Sequence, residues 1–95
     1  MTPEEELSQV KGYMRVDTEE EDALISALLA SAKEYLANAG VAEPEEPSPL
    51  YQLAVWGLTL HYYDSREAAA DGTKTELPLG LRAILTQLKL SAGLG

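Results

Sequence analysis

Apolar residues recur along the chain at the three-to-four spacing of a helix face, in runs that are separated by acidic or proline-containing stretches. The first run is Leu7, Val10, Tyr13 and Met14, one stripe on a short helix over residues 3–14. Thr2 stands ahead of it as N-cap, Pro3 enters the first turn, and Glu5 three residues on completes the pattern of a capping box. Arg15-Val16 reads as a tight link. The second run, Leu24, Ile25, Leu28, Leu29, Ala32, Tyr35, Leu36 and Ala39, gives the clearest amphipathic helix in the chain. Its predicted start lies in Asp17-Thr18-Glu19-Glu20-Glu21, through overlapping capping boxes of Asp17 with Glu20 or Thr18 with Glu21. Gly40 is its predicted stop.

The stretch from Ser48 to Ala70 is apolar on nearly every face. Leu50, Leu53, Ala54, Val55, Trp56, Leu58, Leu60, Tyr62 and Tyr63 leave little room for a polar stripe, which predicts a helix wrapped by the others. Ser48 and Pro49 supply the N-cap and a first-turn proline, and Asp71-Gly72 supplies the end. Val41–Pro47, rich in proline and acids, reads as a mobile crossing. After a polar loop, Pro78 opens a last helix over residues 78–89 with Leu81, Ile84, Leu85 and Leu88 as its stripe. Residues 90–95 are expected to fray. The fold class that follows is all-α: one small four-helix domain over residues 1–95, short–long–long–short, around the central helix 48–70.

Charge divides the chain. Of its 16 acids, 12 lie in residues 1–46 with three bases, whereas residues 47–95 hold four of each. The N-terminal half has no basic patch to release counterions, which disfavours binding to nucleic acid or an anionic membrane. It points to a protein partner with a basic or mixed surface, or else to a solvated, solubilising face. An acidic N-terminus without a basic n-region, and no unbroken apolar run of ~20 residues, lead to the expectation of a soluble cytoplasmic protein.

Candidate chemistry is sparse. The chain has no cysteine and one histidine. His61 with Asp64 makes at most a two-ligand pair, short of the about three or four protein ligands that zinc takes, and a hydrogen-bonded core or rim histidine accounts for it. The acids from Asp17 to Asp22 lack the spaced oxygens and central glycine of a calcium loop. No phosphate-binding glycine loop or nucleophile elbow occurs, so no enzyme, cofactor or metal is expected. Arg66, after the aromatic run of the central helix, is placed by charge complementarity against Asp17 or Asp22; the other reading is a solvated arginine.

Four segments, in order, resemble the phage head–tail connector family, described as gp6-like and also as DNA-packaging adaptors. They are the VKGYMRVD opening, the acids leading into DALI, the HYYDSREA helix end and the LPLGLRAIL segment after a polar loop. The resemblance spans about residues 7–89. It implies a virion part at the head–tail junction, made in the host cytoplasm: a helical adaptor forming a ring, typically dodecameric, beneath the portal. Such a ring extends the DNA channel, without sequence-specific DNA binding, and docks a tail or stopper protein. In relatives the C-terminal segment engages the portal, which maps to Leu81–Gly95 here. Leu81, Ile84, Leu85, Leu88, Leu90 and Leu94 are then the expected portal or subunit contacts. The alternative of a different class is a monomeric acidic regulator that binds a basic partner. Acids crowded at helix starts, rather than spread over one face, favour the connector.

Overall fold

A computed structural model describes residues 2–46, 48–70 and 77–94, the side chains of 66–70 and 92–94 excepted. Its elements are four helices: α1 (Pro3–Met14), α2 (Asp22–Asn38), α3 (Pro49–Ala70) and α4 (Leu79–Leu94). α1 starts as its sequence requires: the Glu5 amide donates to Thr2 Oγ1 at 3.1 Å. The Thr2 hydroxyl in turn donates to the Glu5 carboxylate, which closes the box through side chains. The link after α1 is tighter than its residues announce. Arg15 adopts a left-handed backbone (φ 61°), a conformation that strains any residue but glycine. The amides of Arg15 and Val16 then bond back to Gly12 and Lys11, which satisfies the last carbonyls.

α2 begins at Asp22, not in the acid run before it, and the predicted capping boxes of Asp17 and Thr18 do not form. Glu21 occupies the N-cap without a side-chain cap bond. The acids serve tertiary contacts instead: Glu21 accepts a hydrogen bond from the Tyr63 hydroxyl of α3, and Asp22 faces Lys11 of α1. At the far end Gly40 takes φ 92° and the Val41 amide reaches back to the Leu36 carbonyl, the wrap expected of a glycine stop. Val41 is carried into the core by that wrap, although its sequence context placed it in a mobile crossing.

α3 is the hub. It contacts α1, α2 and α4, and α2 makes its broadest contact with it. Ile25, Leu29, Ala32 and Leu36 of α2 pack with Tyr51, Ala54, Val55 and Leu58 of α3, and Val10 of α1 completes that side. Thr59 is fully buried among them and its hydroxyl donates to the Val55 carbonyl at 2.7 Å, so its polar group has a partner. The wrapping is incomplete: Leu53 on the side between α1 and α4 remains 41% exposed.

α4 meets α3 and no other helix among the described residues. Leu81, Leu85 and Leu88 anchor it, with Leu81 against Gly57, where a Cβ would come within 2.9 Å of Leu81 Cδ1. The glycine in the middle of α3 is thus what allows the close approach. α4 also runs through Leu94, past the Lys89 boundary read from the sequence. No proline or β-branched residue follows Lys89 to stop it, and the buried Leu88 holds the turn from which it continues.

Candidate interaction surfaces

Three surface features have the chemistry of contacts. The first is an apolar groove of about 430 Å³ over the open side of α3, lined by Tyr13, Leu53, Gly57, Leu60, Leu81 and Ile84, with His61, Asp64, Ser65 and Pro78 at its edge. It exists because α1 and α4 sit on separate sides of α3 and leave residues 53, 57, 60 and 64, one helical stripe, between them. Tyr13 and Trp56 meet on the α1 side with ring centres 5.7 Å apart and planes tilted by 43°.

The second is a groove of about 350 Å³ where the start of α1, the segment before α3 and the start of α3 converge. Glu6, Glu43, Glu45 and Glu46 line it together with Pro44, Tyr51 and Trp56. Lys33 of α2 stands at its base and reaches Glu6 at 2.8 Å and Glu43 at 2.9 Å. Partial burial works against the Lys33 charge, but hydrogen bonds and attraction from both carboxylates outweigh it and its pKa sits above the ordinary lysine value. Tyr51 is raised as well, by burial first and then by the nearby Glu43.

The third is the outer face of α4. Leu79, Arg82, Ala83, Thr86, Lys89 and Leu90 are all exposed there, opposite the buried Leu81, Leu85 and Leu88. Leu79 at 77% and Leu90 at 64% are the most exposed of the large apolar side chains described.

The family profile of the phage gp6-like head–tail connector protein matches residues 4–89. The chain belongs to that family. It is a structural, non-enzymatic family of the virion, whose members meet portal and tail proteins. No curated protein and no solved structure matches the chain.

Within this connector the residues expected at contacts divide. Leu81, Leu85 and Leu88 are used by its own core, Ile84 packs partly against that core, and Leu90, of the described members, stands well out. Leu94 and Arg66 have side chains outside the described residues. Asp17 is exposed, and Asp22 has Lys11 Nζ at 2.6 Å. The contact is close as an ion pair and poorly aligned as a hydrogen bond, yet it is the cation that faces an oxygen shielded from water. His61 and Asp64 have no third ligand: no group of three metal-binding side chains occurs among the described residues. No described helix is long and apolar enough to cross a membrane.

Sequence reading passed over Leu79, Gly57 and the clasp on Lys33. The glycine carried a signal, since one in mid-helix is costly and is kept where something approaches closely. Leu79 sits beside Pro78 and outside the Leu81–Leu88 stripe, a position that marks it as outward-facing. The Lys33 clasp joins residues 6, 33 and 43, a meeting that only the tertiary fold creates.

Proposed function

We propose that this connector works by shape and self-association: copies form a ring, dodecameric in the virion, that sits beneath the portal, continues the DNA channel and offers a landing surface to a tail or stopper protein. The observation that carries the reading is the family match over residues 4–89. The molecule supports it in two ways. It is a flattened body of 40 × 33 × 19 Å, and it leaves apolar anchors such as Leu79 and Leu90 uncovered, the kind of group that concentrates binding energy in an interface. Its acidic N-terminal half suits a channel wall or a neighbouring subunit, since it repels the DNA phosphates instead of holding them. No step calls for an enzyme. DNA passes without being read, and no cofactor takes part.

Native mass spectrometry of the purified protein, alone and with its cognate portal ring, tests this. A ring alone, or many copies per portal, is the expected outcome and fixes the stoichiometry. A strict monomer that ignores the portal would overturn the proposal in favour of an acidic regulator.

A further inference from the structure

The outer face of α4 is built unlike the rest of the molecule. Among the described residues the helix meets no helix but α3, and its charged residues are Arg82 and Lys89. Both are exposed, and neither has an acidic partner among the described residues. Leu79, Arg82, Thr86, Lys89 and Leu90 lie along one stripe, so both cations are flanked by the most exposed leucines described. Such a face fits a surface that is both acidic and apolar.

That surface is present on the same chain. The groove at the start of α3 offers the walls of Trp56 and Pro44 beside four carboxylates. Lys33 is committed to Glu6 and Glu43, whereas Glu45 and Glu46 are exposed with no cation among the described residues. No described α4 side chain lines this groove. The two faces are therefore separate on one copy, and a contact between them joins two copies head to tail, the arrangement that closes into a ring when the rotation permits.

We infer that the outer face of α4 docks into the acidic groove of a second copy of this chain, with Arg82 and Lys89 toward Glu45 and Glu46 and Leu90 against Trp56 and Pro44. The inference rests on the ring reading above and makes α4 the subunit contact instead of the portal contact. Charge complementarity sets the register, and leucine burial against the tryptophan supplies the apolar part.

A charge swap tests it. One variant carries Arg82→Glu and Lys89→Glu, the other Glu45→Lys and Glu46→Lys; all four positions are exposed, and circular dichroism verifies that both variants fold. Sedimentation velocity at low salt should show wild-type assembly, a loss of more than about tenfold in self-association for each variant alone, and recovery when the two are mixed. Recovery is specific, because in the mixture every contact again joins opposite charges. If wild-type copies meet only on the portal, the same three samples are read as copies bound per portal. A folded variant that assembles like wild type, or a mixture that does not recover, overturns the α4 contact. If both variants still load the portal at wild-type stoichiometry, the connector reading stands without it; if wild type does not load at all, it is the connector reading that fails.

Discussion

Lys11 and Asp22 decide more than their surface positions imply. One Asp22 oxygen has no contact with water, so the ammonium 2.6 Å away is what makes its charge tolerable at the start of α2. Lys11→Met keeps the stem and removes the charge, and should lower stability by about 1–2 kcal/mol, the range for a desolvated polar group losing its partner at a partly exposed site. Urea denaturation reads this. Adding Asp22→Asn should recover most of the loss, and an unchanged midpoint in Lys11→Met would show the pair to be a surface contact only. Sequence reading set Arg66 against Asp17 or Asp22, with a solvated arginine as the other reading, and did not name Lys11. The Arg66 side chain lies outside the described residues, and the base found at Asp22 is Lys11. Nothing in residues 11 and 22 announces that α1 ends beside the start of α2. The left-handed Arg15 that turns the chain there is equally silent, because glycine is the residue that normally signals such a backbone.

Helices α1 to α3 hold one another, whereas among the described residues α4 meets no helix but α3. The Gly57–Leu81 approach is therefore the place to separate the two parts. Alanine there is a weak probe, since the helix gains roughly 1 kcal/mol of propensity and Leu81 can swing its end toward the open groove. Gly57→Leu puts a full side chain into the space Leu81 fills and should lift α4 without melting the other helices. Limited proteolysis is expected to cut within residues 79–94 much faster than in wild type, while near-ultraviolet signals of Trp56 persist. Equal protection of both variants would mean that α4 is held elsewhere. This scale was the most legible in advance. The Thr2 and Ser48 caps, the Gly40 stop and the apolar α3 hub are local or periodic signals, and all four stand in the structure. The start of α2 was misplaced because Asp17 and Thr18 have capping chemistry, whereas Glu21, the acid that would close the Thr18 box, is taken by Tyr63 of α3. The far end of α4 was cut short because a composition of small residues does not say whether a docked turn will carry the helix on.

Across the whole molecule, Lys33 ties three segments together: its own helix α2, the start of α1 through Glu6, and the stretch before α3 through Glu43. The clasp borders Tyr51, and the same packing extends along α3 to Tyr62, raised first by burial and then by Tyr35. All three groups have folded pKa values above their ordinary ones, 10.5 for the lysine and 10.0 for the tyrosines. The sign is the same for each. A group whose pKa is raised on folding holds its proton more tightly in the native state, so its stabilisation is complete below the unfolded value and is lost as pH climbs through the folded one. Stability should therefore hold from neutral pH to about 10 and then decline, with Lys33 partly exposed and its share correspondingly modest. Deprotonation also adds to a net charge that is already −9, which pushes in the same direction. Tyr51→Phe separates the two effects: it takes one raised group away and leaves every lysine in place. Thermal melts across the alkaline range should fall less steeply in Tyr51→Phe than in wild type, and tyrosinate absorbance should show Tyr51 and Tyr62 ionising late. Parallel curves for the two proteins would show that Tyr51 does not contribute and would leave the decline to Lys33, Tyr62 and overall charge. A shallower curve for Tyr51→Phe would locate part of the decline at the buried Tyr51 hydroxyl, whose ionisation the native packing beside Glu43 disfavours.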